Sequence, residues 1–136
     1  MADRALVGVV LVSHSREVAE SVARLAVALA GGGETAPVTA AGGTPDGDLG
    51  TSSELIADAV RRADRGAGVV VVADLGSAVL TVRAMLAEDG ELPRDTRLAD
   101  APVVEGAVAA LVGASAGADL ASVVAAAEDA YRFRKL

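Results

Sequence analysis

The sequence predicts an α/β fold: a three-layer sandwich in which a mainly parallel sheet of about four strands, in the order 2-1-3-4, carries helices on both faces. Three observations lead there. Residues 6–12 (LVGVVLV) and 69–73 (VVVVA) are apolar without alternation, as strands buried on both faces must be. Each run ends in a short polar turn, Ser13-His14-Ser15 and Asp74-Leu75-Gly76-Ser77, and each turn opens a helical pattern. Strand–turn–helix units repeated in this way build parallel sheets, because crossovers are right-handed and need helices to cover both faces.

The elements follow in order. Strand one ends at Ser13, and Val18, Val22, Leu25, Ala26 and Leu29 then recur at helical spacing until Gly31-Gly32-Gly33 stops them. Ser15 or His14 opens that helix. Residues 36–40 (APVTA) form a short, proline-led strand candidate, and 42–50, with Pro45, Asp46 and Asp48, is a loop of turn formers. Thr51 or Ser52 caps a second helix over 53–65, whose apolar face is Leu55, Ile56, Ala59, Val60 and Ala63. After strand three at 69–73, a third helix is expected over 79–88. Residues 97–101 are a weak strand candidate closed by Pro102; 103–112 is an apolar helix, 113–117 a break, and 119–131 a last amphipathic helix.

Length and composition narrow the function classes. A chain of 136 residues fits one domain, here taken as 1–136, with enough core to fold without staples. It has no cysteine, which excludes disulfides, thiolate metal sites and thiol nucleophiles, and suits a cytoplasmic protein. No apolar run reaches the ~18 residues of a membrane span, and Met1-Ala2-Asp3-Arg4 leads into a strand rather than a signal peptide. A formal charge of −7 repels nucleic acid. One tyrosine, one phenylalanine and no tryptophan leave no stacking platform for bases or sugars.

Open α/β sheets work at the carboxyl ends of their strands, where strand order reverses. His14, the only histidine, lies at that edge; as a bland alternative it is a loop residue or helix cap. One histidine without matched acidic ligands makes no metal site. Imidazole near neutral pH offers a free lone pair on one nitrogen, so it attacks phosphorus without a strong base. Repeated use requires an acceptor that holds the other nitrogen's proton, as aspartate does in hydrolase triads. Asp74 ends strand three, which neighbours strand one in the expected order; its alternative role is an Asx-turn cap on helix three. Helix starts at this edge, with Ser13, Ser15, Thr51, Gly76 and Ser77, would surround a phosphoryl group on His14, although the hydroxyl residues are individually explained as caps. No nucleophile elbow with a second histidine and no P-loop lysine is present.

The motifs Val12-Ser13-His14-Ser15, Gly50-Thr51-Ser52, Asp74-Leu75-Gly76-Ser77-Ala78 and Ala101-Pro102-Val103-Val104-Glu105-Gly106, in this order and spacing, resemble the phosphotransferase subunits of phosphoenolpyruvate-dependent dihydroxyacetone kinases over about residues 5–131. Those subunits begin with a domain similar to mannose-family enzyme IIA of the sugar phosphotransferase system. The mannose-type Thr-His-Gly and Trp-Gly-Gly-Ser are absent here. The resemblance implies a phosphotransferase with a phosphohistidine intermediate at His14, oriented by Asp74. It further implies HPr as donor, ADP held by the kinase L subunit as acceptor, no cofactor bound by this chain itself, and a homodimer. A IIA component of a mannose-family sugar permease is the alternative within the same chemistry. A receiver-like regulatory module is the alternative outside it, although the acidic pair that receivers carry after strand one is replaced by Ser13-His14-Ser15.

Overall fold

The computed structural model describes residues 5–31 and 33–136. The lead-in at residues 1–4 and Gly32 of the expected glycine stop lie outside the described residues. The elements are β1 (Gly8–Ser13), α1 (Arg16–Leu29), β2 (Val38–Gly42), α2 (Ser53–Ala63), β3 (Val69–Ala73), α3 (Ser77–Ala87), β4 (Thr96–Leu98), α4 (Val103–Ser115) and α5 (Leu120–Asp129), which ends in a 3₁₀ turn, Ala130–Arg132. The sheet is parallel in the expected order, β2-β1-β3-β4.

The two unbroken apolar runs are buried on both faces because each face has its own helical layer. Val9 and Leu11 of β1 with Val70 and Val72 of β3 pack under α1, α4 and α5 through Ala26, Leu111 and Val123. Val10, Val12, Val69 and Val71 face the other way, against Ile56 and Val60 of α2 and Val82 and Met85 of α3. Period-two alternation thus splits one apolar strand between two cores. Each such valine, removed from water, contributes roughly 1.5 kcal/mol or more. Alanine at contact positions on α2 and α4 lets these helices approach a sheet that has no aromatic residue to fill wider gaps.

Several boundaries differ from the sequence reading. α4 runs on through Gly113 to Ser115, where the sequence predicts a break at 113–117, because a lone glycine weakens a helix without ending it; the chain leaves the helix only at Ala116 and Gly117. α2 ends at Ala63 rather than 65. Three further shifts have local reasons. β2 begins at Val38, two residues late, because Pro37 has no N–H for the ladder; it gives only its carbonyl, to Val9 N at 2.8 Å, while Ala36 N–H goes to Ser115 Oγ. The strand then runs through to Gly42, opposite Ser13. β4 covers Thr96–Leu98 rather than 97–101, and one further ladder bond, from Ala99 N–H to Val71 O, ends it before Pro102 opens α4. α3 starts at Ser77, two residues earlier than the apolar spacing suggested.

Candidate functional site

The ends of β1 and β3 lie side by side, with Val12 opposite Ala73, so the residues that follow them meet at the edge of the sheet. Backbone pairing continues one step further: Asp74 N–H donates to Val12 O at 3.0 Å. The Asp74 carboxylate then receives four donors. Oδ2 accepts from Ser13 Oγ at 2.9 Å and from the His14 backbone N–H at 3.0 Å; Oδ1 lies 3.1 Å from His14 Nδ1 and accepts from Leu75 N–H at 2.7 Å. Burial pushes this carboxyl's pKa up, but the bonds from His14 N–H, Leu75 N–H, Ser13 and the imidazole outweigh it and hold the carboxyl below its ordinary value of 3.8. Asp74 is therefore an anion that fixes the backbone and ring of His14 together. It does not cap α3, whose N-cap is Gly76 and which has no side-chain cap.

A carboxylate at Nδ1 keeps the proton there and leaves the lone pair on Nε2. Nε2 lies 2.8 Å from Ser77 Oγ at the first residue of α3. Ser77 opens a helix that has no side-chain cap, and the partial positive charge at such a helix start favours an anion close by. Gly76 makes the approach: its φ of +51° and ψ of −119° lie outside the comfortable range of a side-chain-bearing residue.

The structure divides the remaining expected residues. Ser13 is buried and supports Asp74 while accepting from Ser15 N–H. Ser15 is the α1 cap, its hydroxyl accepting from Val18 N–H at 3.2 Å. Ser52, not Thr51, caps α2. Thr51 instead places its hydroxyl 3.4 Å from Ser77 Oγ and 3.4 Å from Thr81 Oγ1. Thr81 was missed from sequence; the signal for it is its place one turn after Ser77, visible once α3 is started at Ser77.

The backbone beneath His14 is strapped by the loop after β2: Gly43 N–H donates to Ser13 O at 3.2 Å and Gly50 N–H to His14 O at 2.9 Å. Gly42 permits this closeness, since a Cβ there would stand 2.3 Å from Ser15 O. The His14 side chain is 30% exposed. Leu49 in the loop before Gly50, Leu75 next to Asp74, and Leu80 on α3 are each more than half exposed. A larger groove of about 900 Å³ between the end of α3 and β4, lined by Arg83, Arg94 and Arg97 among others, holds none of the residues at His14. Among the described residues no group of three metal-ligating side chains occurs and no helix is long and apolar enough to cross a membrane.

A parallel sheet with an oriented histidine at its strand-order reversal defines a class, the IIA components of phosphotransferase systems. Residues 8–124 match the family described as the PTS system fructose IIA component (EIIA-man), and the chain belongs to this family. Within it, the chain is similar to phosphoryl donor subunits DhaM of PEP-dependent dihydroxyacetone kinases. It is 37% identical to one from Listeria innocua, over 79% of this chain and 85% of the relative. It is 36% identical to that of Pantoea ananatis over 92% of this chain and 35% identical to that of Escherichia coli over 88%. The chain spans only 27% and 26% of those two longer relatives. Among solved structures it is similar to the protein EF1359, of unknown function, with a TM-score of 0.79 and 31% identity over 93% of this chain and 95% of the other. A sigma-54 interaction domain protein from Enterococcus faecalis shares the fold, with a TM-score of 0.69 and 18% identity over 96% and 93% of the two chains.

Proposed function

We propose that this chain is the phosphoryl carrier of a phosphoenolpyruvate-dependent dihydroxyacetone kinase, a phosphotransferase that takes a phosphoryl group from HPr onto His14 and passes it to ADP held by the L subunit. One observation carries the chemistry: Asp74 engages Nδ1 at 3.1 Å, which commits the Nε2 lone pair to the exposed face. The names of the relatives carry the choice of kinase.

In this reading Nε2 attacks phosphorus in line as the nitrogen–phosphorus bond of the donor breaks and the donor imidazole leaves with the electron pair. The His14 ring becomes cationic, and the Asp74 carboxylate stabilises it without taking its proton. The phosphoryl oxygens meet Ser77 and the first turn of α3, donors already in place. In the second half a terminal oxygen of ADP attacks, the Nε2–phosphorus bond breaks, and the lone pair returns to Nε2. No external base is required in either direction.

Exposed Leu49, Leu75 and Leu80, on the segments that carry Gly50, Asp74 and Ser77, support docking of proteins rather than of a small substrate, in small and transient contacts. A homodimer in the cytoplasm, with no cofactor of its own, completes the reading. The family match alone equally suits a IIA component of a sugar permease, which differs only in the acceptor.

The test is incubation with phosphoenolpyruvate, enzyme I and HPr, followed by mass spectrometry of the phosphosite and addition of the L and K subunits with dihydroxyacetone. One alkali-stable, acid-labile phosphoryl group at His14, lost in a folded His14→Ala variant, and transfer to dihydroxyacetone are expected. Phosphorylation elsewhere would overturn the carrier reading, and transfer only to a sugar permease would overturn the choice of acceptor.

A further inference from the structure

We infer that Thr81 and Thr51 are positioning residues that act on His14 through Ser77. The inference rests on the carrier reading and adds to it a hydroxyl chain running from the second turn of α3 to the nucleophilic nitrogen.

The proton order of this chain follows from counting donors. With the proton on Nδ1, Nε2 is only an acceptor, so the single hydroxyl proton of Ser77 is directed to it at 2.8 Å. Ser77 Oγ is then an acceptor toward its other neighbour, and the Thr51 hydroxyl donates to it at 3.4 Å. Thr51 has now used its only proton, so in its contact with Thr81 at 3.4 Å the donor is Thr81. The order Thr81 to Thr51 to Ser77 to Nε2 is the arrangement in which every proton of the chain has an acceptor.

Two consequences follow for transfer. In the unphosphorylated protein the lone pair that must attack phosphorus is occupied by the Ser77 proton, so Ser77 releases Nε2 as the phosphoryl group arrives and turns the same proton to a phosphoryl oxygen. Thr51 and Thr81 hold the Ser77 oxygen in place during that turn, so that the donor is redirected rather than lost to solvent. The two 3.4 Å contacts are longer than the ~2.8 Å typical of hydroxyl pairs, a slack that closes when charge develops at the phosphoryl oxygens, as catalytic hydrogen bonds tighten in the reacting complex. All three hydroxyls come from rigid positions: Ser77 and Thr81 one turn apart on α3, and Thr51 immediately before the Ser52 cap of α2.

The experiment pairs two measurements on the full chain and on the variants Thr81→Val, Thr51→Val, the double variant and Thr81→Ser. The ¹⁵N resonance of His14 Nε2 in the unphosphorylated protein should shift in each valine variant toward that of an unbonded imidazole nitrogen, while Nδ1 remains protonated. The rate of phosphoryl transfer from phosphorylated HPr should fall about fivefold in either single variant, the weight of one neutral hydrogen bond. It should fall no further in the double variant, because members of one chain are not additive, and Thr81→Ser should restore both readouts. A wild-type Nε2 resonance and transfer rate in folded Thr81→Val, or additive losses in the double variant, would overturn the inference. A Thr81-dependent resonance in a wild-type protein that takes up no phosphoryl group would instead overturn the carrier reading and, with it, any role of the chain in transfer.

Discussion

Asp74 shows how much one side chain carries at this site, because its two oxygens serve a hydroxyl, two backbone N–H groups and an imidazole at once. Asp74→Ala should leave His14 present but unoriented, slowing phosphoryl uptake roughly ten- to a hundredfold, as for other partners that orient a working imidazole. It should also cost about 1–2 kcal/mol of stability, since part-buried donors lose their acceptor. The pH dependence has a definite sign. Because the folded-state carboxyl is held below its ordinary value, its contribution is complete above that value and is lost as pH falls through the lowered one. Urea melts of wild type and variant should therefore differ by a constant amount from pH 5 to 8 and converge in more acidic solution. A difference unchanged down to pH 3 would show that the carboxylate's charge is not what stabilises the site. At this scale the sequence made His14 and Asp74 legible because each follows an apolar run that cannot be anything but a strand. The use of each hydroxyl was not legible: Ser15, Ser52 and Thr51 look alike in sequence, and only the angle at which each helix begins decides which one caps and which faces Ser77.

Among the elements, β2 and the turn that carries His14 are packed backbone against backbone. Gly42 ends β2 directly under the first turn of α1, with space for no additional carbon beside Ser15 O and Arg16 Cα. Gly42→Ala should cost about 1–3 kcal/mol, as overpacking does, and should displace the His14 turn, lowering phosphoryl uptake along with stability. The comparison is Gly113→Ala on α4, where an added Cβ meets nothing; there the change should stabilise by roughly 0.5–1 kcal/mol through helix propensity. Denaturant melts and phosphoryl uptake of the two variants check this, and equal effects would refute it. The sequence placed every strand and helix near its position but misjudged β2, β4, the start of α3 and the end of α4, which passes through Gly113. Pro37 lies inside an apolar stretch yet has no N–H to give, Pro102 ends pairing upstream of itself, and the polar start of α3 hides in a turn motif that apolar spacing does not count.

On the scale of the whole molecule, the central place of β1 and β3 was legible because strands without polar alternation are buried on both faces, whereas which edge each of the shorter strands takes follows from the expected order and not from their composition. The exposure of Leu49, Leu75 and Leu80 was not legible, because a leucine in a turn, or on one side of a helix, does not by itself tell whether another element covers it. The contact between His14 and Asp74 joins positions 60 residues apart, which has a meaning in time as well as in space. That contact cannot form while β1 and β3 are still separate, and neither strand is brought to the other by a hairpin, since parallel strands need a full crossover. Loop-closure entropy makes such distant pairings slow compared with helix formation, which takes microseconds or less. A refolding chain should therefore regain helical circular dichroism before it regains the capacity to accept a phosphoryl group. Refolding interrupted at successive times and pulsed with phosphorylated HPr would register the lag, and simultaneous recovery of both signals would contradict it. The histidine is thus a clock for the moment at which the two central strands find each other.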